Sequence, residues 1–301
     1  MKIRIASTIT VIISILVFIH FDSSDVSAEA TTNDVQMLYQ KAISEKKVNP
    51  NRYTFQAFQE NYNLGKADYF AMKNIVGSGL DYKSWFGEIA NYGAFPDGEG
   101  HSSSEAKTSS MLRGSQTSNG NKLKKAIRKG DILIVSSGGT GHAAIATSDN
   151  YILEMTGGGN IVNWTVKAIK NNNHQFSKDN WIFGRKSEQG IKPDKHIAYW
   201  IQLWRVPNKS IANKAASYAD KIFWNSNHKY EKNKKIDYRV TTYTSTKNPN
   251  YCSKLVFQAY YYGAGNANVI QPQLIGLTFV SPSALPNTFT SKYAPKKIGT
   301  Y

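Results

Sequence analysis

Cys252 is the only cysteine in the 301 residues, and its surroundings suit a nucleophile. Residues 246–250, Thr-Lys-Asn-Pro-Asn, are turn formers. After the cysteine, Leu255, Val256, Ala259 and Tyr260 recur at helical spacing, and Gly263 offers a C-cap. That puts Cys252 in the first turn of a helix, where unpaired N–H groups and the positive end of the dipole favour thiolate over thiol. The competing reading is a small buried hydrophobe. A catalytic thiolate needs an imidazole to exchange a proton with it and a third group to orient that ring. Of six histidines, His20 lies in the leading apolar run, which leaves five. His142 is the best placed, because it opens a strand directly after a run of glycines and its ring can face a cleft. His101 and His174 fall in polar loops, and His196 and His228 in lysine-rich stretches. His101 also sits beside Asp97 and Glu99, a grouping that reads as solvated loop rather than as a metal site.

These residues need a scaffold, and the hydropathy pattern supplies one. Residues 132–135 (Ile-Leu-Ile-Val) form an unbroken apolar run typical of a buried strand. Residues 142–147 and 151–155 read as two more strands, and the short turn at Asp149-Asn150 forces them to pair antiparallel. His142 and Glu154 can then meet across the ladder. Residues 160–166 and 199–206 read as further strands. Residues 170–194, with His174, Trp181 and Phe183, read as a polar loop over the binding surface. Asn208 or Ser210 caps a helix carrying Ile211, Ala215, Tyr218, Ala219, Ile222 and Phe223 on one side, and the basic stretch 228–246 leads to Cys252. Upstream, Asp34, Thr54 and Ser84 are helix-cap candidates, and residues 67–76 form another helical segment closed by Gly77-Ser78-Gly79. The glycine-rich turn 136–141 lacks the lysine and hydroxyl pattern of a phosphate loop, which excludes nucleotide binding.

Lys2 and Arg4, an apolar run over residues 5–21 and the small residues Val26-Ser27-Ala28 define a secretory signal peptide over residues 1–28. Beyond it the sequence has no second apolar stretch of about 20 residues, so no integral membrane segment is expected after its removal. A lone cysteine allows no internal disulfide. The net charge of +16 suits an anionic partner. For an exported chain that means a cell-wall polymer or peptidoglycan fragment rather than nucleic acid, for which no motif is present.

The order Gly130-Asp131-Ile132-Leu133-Ile134, Gly141-His142-Ala143-Ala144-Ile145-Ala146, Ile152-Leu153-Glu154 and finally Tyr251-Cys252-Ser253-Lys254-Leu255-Val256 resembles the circularly permuted papain-like cysteine hydrolases. These are relatives of the NlpC-type cell-wall peptidases and include lecithin–retinol acyltransferase; in them the histidine strand precedes the cysteine helix. The resemblance covers residues 120–285. It implies an α+β fold with an antiparallel sheet packed on helices, a Cys252 nucleophile, a His142 base and Glu154 as the orienting residue, with Asn160 and His174 as substitutes. It also implies an assisting tyrosine, Tyr230 or Tyr238, and it calls for no cofactor or metal. Lys254 stands where many permuted members carry an acidic residue, which points to altered substrate contacts. The expected organisation is a signal peptide (1–28), a helical N-terminal subdomain (29–120) and a permuted papain-like domain (121–301). The expected activity is secreted amide hydrolysis through an acyl-enzyme on peptidoglycan peptides. The alternatives are a lipid-directed acyltransferase or thiol esterase of the same fold, and a non-catalytic wall-binding module.

Overall fold

The structure is a computed structural model that describes residues 31–102, 116–136, 139–158, 164–274, 276 and 278–301. The expected signal peptide and Asn160 lie outside the described residues. Among those residues the chain forms seven α-helices and one six-stranded antiparallel sheet, an α+β fold as expected. No described helix is long and apolar enough to cross a membrane.

The sheet is built from β1 (Ile132–Ser136), β2 (His142–Ala146), β3 (Tyr151–Met155), β4 (Asn173–Ser177), β5 (Trp200–Arg205) and β6 (Lys296–Thr300), in the order β4-β3-β2-β1-β5-β6. Both faces are covered, which explains why the central strands read as continuous apolar runs rather than alternating ones. Ile132, Ile134, Ala143, Ile145, Leu153 and Met155 face one core, shared with the N-terminal helices and with α6 (Lys209–Phe223) and α7 (Cys252–Ala264). Leu133, Val135, Ala144, Ala146 and Ile152 face the other, under α4 (Gln116–Ala126) and α5 (Lys178–Phe183). His142 occupies the first position of β2.

Several expectations need correction. Residues 164–166 are turn rather than strand. The fourth strand is instead β4, inside the stretch read as a loop, and α5 follows it directly. Periodicity hid β4 because its inward residues are polar. Asn173 is fully buried and donates to the Phe223 and Lys234 carbonyls while accepting from the Ile236 N–H, so its amide is satisfied by loops that no local pattern announces. The C-terminal strand β6 was also unread, its lysines being suited to a sheet edge.

The N-terminal helices are α1 (Thr32–Ser44), α2 (Phe55–Met72) and α3 (Tyr82–Glu88). Thr31, not Asp34, caps α1, with Asp34 completing a capping box. Thr54 caps α2 as expected, but the two segments read there are one helix, continuous through Gly65. Asp81 rather than Ser84 caps α3. Asn208 caps α6, and α7 runs past Gly263 to end at Gly265, whose φ of 145° suits glycine. Gly263 serves packing instead: any Cβ there would strike Tyr218 of α6. The α4 helix straddles the expected boundary at residue 120.

The N-terminal helices are joined to the sheet by more than apolar contact. Glu99, buried, pairs with Arg52 and Lys297 and accepts from Gln202 Nε2 (3.1 Å) and Thr300 Oγ1 (2.9 Å). His101 donates to Glu99 across 2.8 Å and stacks on Trp200 with ring centres 3.6 Å apart. The Asp97, Glu99 and His101 grouping is therefore a clasp onto β5 and β6, not solvated loop.

Candidate active site

Cys252 is the first residue of α7, after Tyr251 in extended conformation. The first turn is pinned from outside: Tyr251 OH accepts the Val280 N–H (3.1 Å), and Ser253 Oγ donates to the Val280 carbonyl (2.6 Å). Asn250 accepts the Tyr251 N–H and donates to Gln258 Oε1, two turns into α7 (2.9 Å each). The sulfur is buried.

The structure brings Cys252, His142 and Glu154 together. His142 Nε2 lies 2.8 Å from Glu154 Oε2, and the ring sits near enough to the Cys252 thiol for each to act on the other's pKa. With Nε2 donating to the carboxylate, Nδ1 is the nitrogen left for sulfur. Burial alone would raise the Cys252 pKa. The His142 hydrogen bond and charge, with N–H groups of Ala143 and Ser253 directed at the sulfur, more than offset it, and the net shift is downward. For His142, burial favours the neutral ring, but Cys252 and Glu154 on either side raise its pKa. For Glu154, burial is likewise outweighed, by the charges and hydrogen bonds of His196, His142 and Trp181, and its pKa falls. These directions favour charge on all three groups relative to what burial alone would allow.

Two further residues belong to this constellation and were not singled out from sequence. Trp181 Nε1 donates to Glu154 Oε2 (2.6 Å) from α5. His196 stacks on Trp181 with centres 4.0 Å apart and places Nε2 3.5 Å from the same oxygen. Its Nδ1 faces the Trp181 carbonyl at 2.8 Å and so carries a proton. Burial, the largest influence, lowers the His196 pKa, and the Glu154 charge opposes that fall. The nitrogen and oxygen atoms of His142, Glu154 and His196 lie within 4.8 Å of one another, close enough to share one cation, although the hydrogen bonds already described engage them. Glu154 Oε1 is buried and makes no hydrogen bond. The lysine-rich sequence around His196 masked its burial; the only prior signal was its position just ahead of β5.

The other expected participants separate. His174 is opposite Glu154 in the β3–β4 register, but its Nδ1 pairs with Thr156 Oγ1 (2.8 Å), and burial lowers its pKa to about 4. Of the two tyrosines, Tyr230 is 46% exposed, whereas Tyr238 is buried, and burial first and the Cys252 charge second raise its pKa. Lys254 turns away from the sulfur. It is fully buried, and its Nζ donates to the Pro249 carbonyl (2.9 Å), the Tyr243 carbonyl, and the Thr241 and Thr246 hydroxyls (3.2 Å each). It holds the loop before α7 rather than substrate, which corrects the expected role.

A carboxylate-backed imidazole beside a helix-start thiol is an arrangement of residue types that cysteine-dependent acyl transfer uses. The family described as "Lipoprotein N-acylation protein LnsA-like" matches residues 106–301, and the chain belongs to it. It is also 39% identical over 181 residues to an uncharacterized 30.3 kDa protein of Bacillus thuringiensis, an alignment covering 58% of each chain. No solved structure matches it.

Proposed function

We propose that this protein is a cysteine acyltransferase acting in lipoprotein N-acylation, with Cys252 as nucleophile, His142 as acid–base and Glu154 as the group that orients His142. The single observation that carries this reading is the His142–Glu154 hydrogen bond (2.8 Å) set beside the lone thiol at the start of α7. The thiolate attacks the carbonyl of an acyl ester. The tetrahedral adduct collapses to a Cys252 thioester, and His142 gives its proton to the departing alkoxide. An amine then attacks the thioester while His142 takes a proton from it, leaving an amide and the regenerated thiolate. The backbone N–H groups of Ala143 and Ser253, which act on the Cys252 sulfur, are the donors on hand for the oxyanion of the adduct formed there.

The family description supports an amine as acyl acceptor over the peptidoglycan amide hydrolysis expected from the NlpC-type resemblance, which itself rests on element order alone. The segment read as a signal peptide supports action outside the cytoplasm, and the +16 charge supports attraction to phosphate-bearing lipids or wall polymers.

The test is intact-mass analysis after incubation with p-nitrophenyl octanoate, followed by a lipidated peptide with a free α-amino group. The expected result is an octanoyl adduct confined to Cys252 that disappears as acylated peptide accumulates, with neither species in Cys252→Ala. Product formation by Cys252→Ala would overturn the reading. Release of stem peptides from peptidoglycan without amine acylation would return it to the amidase.

A further inference from the structure

We infer that Asp68, on a helix outside the family-matched region, is a positioning residue for His142, so that the N-terminal helices complete the active site. The inference rests on the proposed role of His142. His142 follows the turn Gly139-Thr140-Gly141, whose two glycines have φ of 61° and 75°. The turn makes one strong attachment to the N-terminal helices. Asp68, near the end of α2, accepts the Thr140 N–H (2.7 Å) and the Thr140 hydroxyl (3.0 Å) on a single carboxylate oxygen.

Three observations indicate that this contact is built in. Gly139 has no Cβ where one would collide with the Asp68 carboxylate, so the glycine both tolerates the left-handed backbone and lets the carboxylate approach it. Burial, the largest influence on Asp68, raises its pKa, and the two Thr140 bonds oppose that rise. Ala94 and Phe95 also close in on the turn beside Gly141 and Pro282, around a cavity of only about 20 Å³, room for about one water. One turn further along the chain, the Ala71 carbonyl accepts Thr165 Oγ1 (3.0 Å), next to Trp164, whose ring packs on Tyr238. The end of α2 thus steadies the approach to the site from two directions.

Releasing the turn lets the His142 ring drift from its line between Cys252 and Glu154. Small misplacements of this kind cost about 10–100-fold in rate without necessarily affecting binding. The experiment measures the pH dependence of Cys252 alkylation by iodoacetamide, together with kcat and KM for acyl transfer, in the full-length protein. It compares wild type, Asp68→Ala, isosteric Asp68→Asn and His142→Ala, with circular dichroism to confirm folding. The expected result is an alkylation midpoint that rises in Asp68→Ala toward that of His142→Ala. Asp68→Asn, which keeps an acceptor oxygen, falls between Asp68→Ala and wild type, and kcat falls while KM holds. Because Asp68→Asn preserves side-chain volume, the comparison survives poor folding of the alanine variant. A wild-type alkylation profile and kcat in both folded variants would overturn the inference while leaving the proposed function intact. A wild-type profile in His142→Ala would sink the proposed function instead.

Discussion

A buried thiol is ordinarily a weaker acid than an exposed one, so the reactivity of Cys252 stands or falls with His142. In wild type the thiolate should react with iodoacetamide below the ordinary thiol range, because the Cys252 pKa is shifted down and the His142 pKa up. His142→Ala leaves burial as the dominant influence, and the midpoint of a stopped-flow alkylation profile should move upward past the ordinary thiol value. Glu154 carries a second prediction. Its folded pKa, about 2, lies below its ordinary 4.5, so its contribution to stability is complete above pH 4.5 and is lost as pH falls toward 2. Glu154→Gln should flatten that part of a denaturation-versus-pH curve. It should also lower acyl-transfer kcat by about 100-fold or more, since a carboxamide cannot compensate the imidazolium.

At the scale of elements, the basic residue two places after the nucleophile acts on the loop that delivers α7. Removing the Lys254 ammonium leaves two carbonyls and two hydroxyls without a donor. Lys254→Met should therefore cost about 1–2 kcal/mol in urea titration, the lower end of the usual penalty because the loop is partly solvated. Burial lowers the Lys254 pKa to about 7 from 10.5. Between those values the unfolded chain holds a proton that the folded chain lacks, so wild-type stability should rise with pH there. The Met variant should lose that rise. A variant that keeps it would show that the four acceptors hold Lys254 charged throughout.

For the whole molecule, the clasp around Glu99 decides whether the N-terminal helices ride on the sheet or form part of it. Breaking a fully buried ion pair costs about 3–5 kcal/mol, and Arg52 remains 39% exposed, so Glu99→Ala should cost nearer 2 kcal/mol. If the helices and sheet fold as one unit, that loss appears as a single shifted unfolding transition in calorimetry. Two separated transitions would mean that the N-terminal helices unfold independently of the site they steady through Asp68.

The α+β class, the central strands, the cysteine helix and the pairing of His142 with Glu154 were all legible in the chain, because each is written in contiguous apolar runs, caps and turns of fixed length. The short connection over residues 147–150 sets the β2–β3 register, and the register sets which side chains meet. What the chain could not announce was any contact between residues far apart in sequence. His196 and Trp181 looked like solvated loop because their burial comes from stacking on each other beneath the sheet. Asn173 was missed as a strand residue because distant carbonyls satisfy its amide. Lys254 looked like a substrate contact until the loop of residues 241–249 closed over it. Local patterns report what a residue prefers with its neighbours along the chain, whereas Asp68 and Thr140, 72 residues apart, meet only after the whole core has condensed.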